Sequence, residues 1–289
     1  MIAFKAQGGL GNQLFQYAAA RRLAMQHKCA LVVDHHWFDH PGLGETPRPL
    51  ELTRYPLGMR LATRSELFRW APIRSRWGRY LKPLQSMKVI HEEGFGINSN
   101  VFTAPPNSYL VGFWQSEAYF TAIREQLLTE LTPLDPPGPA DLALMEQMEQ
   151  SESICVHVRR GDYVSLASAS IYHGLCSLTY YRKAIERMAE RLHTPTLFVF
   201  SDDPEWTKAN LRSPFTTHFV DHNPPAQAFQ DLRMMSKCKH HILANSSFSW
   251  WGAWLSRSAN QIVIAPEQWY AVDRPTPDLI PARWMRIAG

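Results

Sequence analysis

Residues 1–34 constrain the fold more than any other stretch. An apolar run from Met1 to Ala6 meets Gly8, Gly9 and Gly11. Leu14, Phe15, Tyr17, Ala18, Leu23 and Met25 then recur at helical spacing, and a second apolar run, Ala30–Val33, ends at Asp34. Strand, glycine loop, helix and strand in that order predict a parallel α/β sheet. The unit imitates a dinucleotide-binding fingerprint, with an acid about 20 residues beyond the loop. Leu14 occupies the place of the third glycine. That demotes a nucleotide-dependent oxidoreductase to an alternative.

The alternation continues. Tyr109–Trp114 reads as a strand, and Gln115, Ser116 and Glu117 open a helix with Ser116 as its cap. Residues 132–139, TPLDPPGP, read as a linker. The expected division is therefore residues 1–138 and residues 139–289. Beyond it come a short helix from Leu142 to Met148, strands at 154–158, 196–200, 240–244 and 261–265, and a helix over 180–192. Residues 266–289 read as a proline-rich tail packing on the body.

The length of 289 residues suits two domains of roughly 100–200 residues each. A net charge of +4 is too mild to argue for nucleic acid. The first residues do not read as a signal peptide, and no apolar run approaches the ~18 residues of a membrane span. Cytoplasmic placement is expected. Residues 64–85 gather Arg64, Arg69, Arg74, Arg76, Arg79 and Lys82 among Phe68, Trp70, Trp77 and Tyr80. Peripheral contact with an inner membrane, or an anionic substrate, is the functional reading; a solvated amphipathic face is the plainer one. Cys29, Cys155, Cys176 and Cys238 are widely spaced and read as reduced thiols. His35, His36 and His40 with Asp34 and Asp39 match no standard ligand spacing, so no metal is expected there. The ten tryptophans suit sugar faces or a core; a non-catalytic carbohydrate-binding module is a second alternative.

The chemistry concentrates at Ile154–Tyr163, ICVHVRRGDY. Ile154, Val156 and Val158 mark a buried strand, and Gly161 and Asp162 end it. His157, Arg159 and Arg160 are thus delivered to the C-terminal edge of a sheet, where open α/β folds hold ligands. Arginine suits a phosphate through paired hydrogen bonds. An ion-paired strand end is the bland reading. The strand at 196–200 ends in Ser201, Asp202 and Asp203 before Pro204. Asp203 reads as a helix cap, while Asp202 is a candidate for a guanine nitrogen or a ribose hydroxyl. A third stretch, Asn245-Ser246-Ser247-Phe248, is a polar turn into a helix, a natural anion site or plain capping.

Together these stretches resemble the bacterial α-1,2-fucosyltransferases of glycosyltransferase family 11. The resemblance is carried by GGLGNQLFQYA, GFWQSEAYF, VHVRRGDY, FVFSDDPEW, CKHHILANSSFSWWGAWL and IVIAPEQW, from residue 8 to about 270. It implies a GT-B-like fold of two Rossmann-like domains with a central cleft: an acceptor-side N-terminal domain and a GDP-fucose-binding C-terminal one. It implies transfer of L-fucose from GDP-β-L-fucose to the 2-hydroxyl of a terminal β-galactoside oligosaccharide, without metal or cofactor. Donor contacts would come from His157, Arg159, Asp202, Asp203, Asn245, Ser246, Ser247 and Phe248. Gly11, Asn12, Gln13, Trp114 and Gln115 would face the acceptor. Arg159 would carry catalysis, with Asp162, Glu117 and His157 as candidate bases.

Overall fold

The computed structural model describes residues 1–40, 42, 46–74, 87–94, 96–161 and 174–289. The chain divides into two compact units, Met1–Leu134 with Pro277–Leu279, and Asp135–Thr276 with Ile280–Gly289.

The N-terminal unit is built on five strands in the order β3-β2-β1-β5-β4. They are β1 (Ile2–Lys5), β2 (Leu31–Asp34), β3 (Arg60–Leu61), β4 (Lys88–His91) and β5 (Ser108–Val111). All four pairings are parallel. Parallel strands are covered on both faces, so their sequences are apolar without alternation; Ile2, Ala3, Phe4, Val32 and Val33 are accordingly enclosed. Helix α1 (Leu10–Gln26) buries Leu14, Phe15, Tyr17 and Ala18. It starts four residues before the periodic run, because the Gly9 carbonyl already accepts from the N–H groups of Asn12 and Gln13. Gly11 and Asn12 are weak helix formers, which hid this first turn. Short helices α2 (His36–Asp39), α3 (Arg64–Arg69) and α4 (Ala71–Arg74) follow.

The helix expected from Ser116 onward is broken. Two 3₁₀ turns, Glu117–Tyr119 and Thr121–Ile123, precede α5 (Arg124–Glu130). Tyr119 and Phe120 are both buried between the turns, and Phe120 takes φ −143°, outside the helical region. Core packing of two consecutive aromatics overrides the local helical pattern.

The C-terminal unit has six strands in the order β11-β10-β9-β6-β7-β8. They are β6 (Glu152–Val158), β7 (Pro195–Ser201), β8 (Thr217–Val220), β9 (His240–Ile242), β10 (Val263–Pro266) and β11 (Met285–Ile287). All are parallel to their neighbours. Its helices are α6 (Pro139–Gln150), α7 (Leu178–Ala189), α8 (Pro204–Asn210), α9 (Ala228–Met235) and α10 (Ser247–Trp254). Ile154, Val156 and Val158 pack on one face with Tyr180, Tyr181, Leu197 and Val199. Cys155 faces the other way, onto Phe198, Phe200, Met234 and Cys238. The two sets alternate because side chains of one strand point to opposite faces.

Trp250, Trp251 and Trp254 are enclosed in the core, so these tryptophans are packing groups. The expected tail contributes strand β11 instead of only packing back. No described helix is long and apolar enough to cross a membrane. Asp162 and residues 75–85 of the basic segment lie outside the described residues.

Candidate functional site

The register of the C-terminal sheet explains how the two charged pairs meet. Val158 at the end of β6 is the partner of Ser201 at the end of β7. The next two residues of each strand, Arg159-Arg160 and Asp202-Asp203, therefore emerge side by side. Arg159 Nη1 lies 3.0 Å from Asp202 Oδ2. The Arg160 N–H donates to Asp202 Oδ1 at 2.8 Å. Arg160 Nε donates to Asp203 Oδ2 at 3.3 Å, and its guanidinium carbon sits 3.5 Å over the Trp206 ring. Arg160 is thereby engaged in the fold. Asp203 also caps α8, accepting from the Trp206 N–H at 3.3 Å. The carboxylate of Asp202, read in the sequence as a nucleoside contact, holds the arginine turn. A β-carbon on Gly161 would come within 2.5 Å of its Oδ2, so any larger residue there would displace that carboxylate. Arg159 keeps 21% of its side chain exposed.

His157 is one residue inside the strand and nearly enclosed. Its ring tilts against Phe248, 5.7 Å between centroids. Burial, with the Arg159 charge added, pushes its pKa down to about 3. The imidazole is neutral at physiological pH, so it offers a hydrogen bond and no charge. Its Nδ1 is enclosed with no partner among the described residues.

Strand β9 lies on the other side of β6, with Ile242 opposite Val156. The chain leaving β9 therefore passes beside His157 and enters α10. Ser246 caps that helix, its Oγ accepting from the Phe248 N–H at 3.3 Å. Ser247 and Phe248 are half-buried on its first turn. A helix start of this kind favours an anion. The Asn245 amide donates to the Trp269 carbonyl at 3.2 Å and to Gly174 at 3.4 Å; that donor group is engaged in positioning the loop. His241, by contrast, is internal: Nε2 donates to the Met235 carbonyl at 2.8 Å.

In the N-terminal unit, the candidates gather at the C-terminal ends of β1 and β5. Gly8 has φ +78°, and a β-carbon there would lie 2.9 Å from Asn12 Nδ2. Asn12 Oδ1 accepts from Gln115 Nε2 at 2.8 Å, joining the two strand ends. Three of the candidates are buried. Gly11 is buried in the first turn of α1. Gln13 is enclosed; its Nε2 donates to the carbonyls of Gly8 and Pro49 and its Oε1 accepts from the Glu51 N–H, each at 2.9 Å. Trp114 is wholly buried, edge-on to Tyr119 at 5.5 Å. Glu92 accepts from the Phe113 and Trp114 N–H groups at 2.7 and 2.9 Å, which fixes the backbone that carries this ring. Glu117 opens the first 3₁₀ turn and is half-buried.

Asp34, the acid of the dinucleotide-like pattern, is enclosed. It accepts from the Tyr109 hydroxyl at 2.6 Å and the His36 N–H at 3.0 Å. A ribose would have to displace both, which weakens the oxidoreductase alternative. Among the described residues no cluster of three or more His, Cys, Asp or Glu side chains could hold a metal. Sequence reasoning passed over Glu51, whose Oε2 is enclosed with no partner among the described residues. It lies in a segment without apolar periodicity, and only its tie to Gln13 shows where it sits.

Residues 80–288 match the sequence profile of glycosyl transferase family 11. The alpha-1,2-colitosyltransferase of Escherichia coli is 32% identical over 99% of each chain. Galactoside alpha-(1,2)-fucosyltransferase 1 of Leontocebus fuscicollis is 27% identical over 51% of this chain and 42% of its own. Among solved structures, the NodZ alpha-1,6-fucosyltransferase soaked with GDP-fucose superposes with a TM-score of 0.51 at 16% identity, covering 88% of this chain and 92% of that one. At that identity the likeness concerns the fold, two parallel-sheet α/β domains of the GT-B class.

Proposed function

The chain belongs to glycosyl transferase family 11, and from that premise we propose that it moves L-fucose from GDP-β-L-fucose to the 2-hydroxyl of a terminal β-galactoside, giving an α-1,2 linkage. The observation that carries this reading is the edge of the C-terminal sheet. Arg159 is aligned by Asp202 at 3.0 Å, beside a neutral buried imidazole and the capped start of α10. That arrangement suits a diphosphate. The guanidinium supplies charge, the helix start supplies backbone dipole, and His157 supplies a hydrogen bond.

A β-linked donor and an α-linked product require inversion, which one displacement achieves. The acceptor oxygen forms its bond to C1 of the sugar as the C1–O bond to the β-phosphate breaks. The electron pair of that bond leaves with GDP. The sugar becomes oxocarbenium-like, and negative charge grows on the β-phosphate. GDP departs readily without a proton, so the chief requirement on the protein is charge stabilisation. Arg159 and the α10 terminus meet that requirement without a divalent cation. Residues of the N-terminal unit, Asn12 and Gln115 among them, would take the acceptor.

A second reading concerns the donor. The Escherichia coli relative is named for colitose, a sugar that lacks the 3-hydroxyl of fucose. A site built to bond that hydroxyl rejects the deoxy sugar by ~10⁴–10⁵-fold, so the two donors are separable. The deciding experiment offers GDP-fucose and GDP-colitose in parallel with lactose, in excess EDTA, and assigns the product linkage by NMR. An α-1,2-fucosyl galactoside formed in EDTA is expected. Exclusive use of GDP-colitose would transfer the assignment to that donor, and strict dependence on added Mn²⁺ would refute the metal-free chemistry.

A further inference from the structure

The turn between β9 and α10, which the transfer reading sets against the diphosphate, is held from outside itself at residue after residue. Leu243, Ala244, Asn245 and Ser246 are all enclosed. The Tyr180 hydroxyl on α7 donates to the Leu243 carbonyl at 2.7 Å and to the Ile264 carbonyl at 3.3 Å. The Ser249 hydroxyl donates to the carbonyls of Ala244 and Ser246 at 3.3 and 3.1 Å. Asn245 is gripped at both ends of its amide. Nδ2 donates to the Gly174 and Trp269 carbonyls, and Oδ1 accepts from the Cys176 thiol at 3.5 Å. All of these groups belong to the C-terminal unit.

Cys176 reads in the sequence as no more than a reduced thiol. It stands immediately before Ser177, which caps α7 by accepting from the Tyr180 N–H at 3.0 Å. One capped helix start thus presents two donors, Cys176 and Tyr180, to the same turn. We propose that Cys176 is a positioning residue for the transfer, setting through Asn245 the direction in which the Ser246–Phe248 helix start meets the departing diphosphate. This rests on the transfer reading above and extends it.

Burial pushes the Cys176 thiol up to about 11, with the Asn245 backbone pulling the other way. The sulfur therefore keeps its proton at neutral pH and can donate. A thiol is a weak donor, so the bond adds little to folding. Its consequence is directional. With the thiol in place, the oxygen edge of the amide has a partner distinct from the two carbonyls that hold its nitrogen edge. Without it a buried amide oxygen loses a donor, and the amide is free to turn, carrying Ser246 with it. Backbone N–H groups at a helix start stabilise a departing phosphate only when they already point at it. A shift of this turn therefore costs more in turnover than in stability.

Cys176→Ala removes the donor. Its kcat should fall by ~10-fold, below the ~10²-fold that a full 1 Å misplacement can cost, because the Nδ2 bonds remain. GDP affinity by calorimetry should fall by about threefold to tenfold, while guanosine, which carries no phosphate for the helix start to meet, should bind within about twofold of the unaltered chain. Cys176→Ser keeps a donor and should recover most of both losses. Cys176→Val keeps the volume without the donor; it should match Cys176→Ala, and it decides the matter where the smaller residue does not fold. On an Asn245→Ala background, Cys176→Ala should change kcat by less than about twofold, since the thiol acts through that amide. Equal losses of GDP and guanosine affinity, or a loss that adds in full to that of Asn245→Ala, would reveal a general weakening of the fold and overturn the proposal. Normal kcat and GDP affinity in the donor-free variants would overturn it too, and the transfer reading would stand. If the unaltered chain binds GDP no tighter than guanosine and forms no product, the transfer reading fails and this one with it.

Discussion

Gly161→Ala tests the central geometry with a single methyl group. The added β-carbon would lie 2.5 Å from Asp202 Oδ2 and 3.0 Å from its Cγ, where ordinary contact begins at 3.4 Å. The carboxylate must retreat by about 0.9 Å. It cannot retreat freely, because Oδ1 holds the Arg160 N–H at 2.8 Å and Oδ2 holds Arg159 at 3.0 Å. Stretching the backbone bond costs ~1 kcal/mol, and the partly exposed ion pair adds ~0–1 kcal/mol. Folding stability should therefore fall by about 1–2 kcal/mol, measurable by urea titration. Activity should fall further. Displacing a group that stabilises the leaving phosphate by about 1 Å can cost ~10²-fold, so a kcat loss of roughly 10–10² is expected. The control is the same substitution on Asp202→Gly, where the clash is gone. There Gly161→Ala should change kcat less than threefold, and the difference is the coupling energy. Activity of Gly161→Ala within twofold of the unaltered chain, or an equal loss in both backgrounds, would refute the positioning argument.

Three further expectations follow from the same geometry. Arg159→Ala should leave a cooperative unfolding transition yet lower kcat by about 10²–10³-fold, read in a coupled GDP-release assay; near-normal turnover would remove Arg159 from the mechanism. His157 takes a proton at its ordinary 6.5 when unfolded but resists until about 3 when folded, so its contribution is present above pH 6.5 and is lost as pH falls toward 3. His157→Gln should flatten the stability–pH curve between pH 6.5 and 4 by up to ~1.4 kcal/mol per unit, measured by denaturant midpoints. Glu51 has the opposite sign: its raised pKa, from 4.5 to about 7, gives stability present below pH 4.5 and lost as pH rises through 7. Glu51→Gln should therefore be more stable than the unaltered chain at pH 8, by about 1–3 kcal/mol after allowance for partial exposure; equal stability at pH 5 and pH 8 would show that the carboxyl is not held neutral.

Much of this protein is local in its sequence. The β-branched run Ile154–Val158 specifies a buried strand because its side chains must alternate between two apolar faces, and they do. Pro204 after Asp203 specifies a capped helix, and Asp203 caps it. The same grammar made the parallel α/β class and the strand-end location of His157 and Arg159 legible in advance. What it could not reach is any property set by a partner distant in the chain. Asp202 holds Arg159, and Asp203 holds Arg160, because β6 and β7 pair in one register, 43 residues apart. The Gln13 amide is already bonded because Pro49 and Glu51 return to it. Trp114 is enclosed because Tyr119 packs edge-on against its ring. Spacing reports the face on which a side chain lies; tertiary contact alone decides whether its polar atoms are already satisfied, because that balance is settled by groups brought near only when the sheets form.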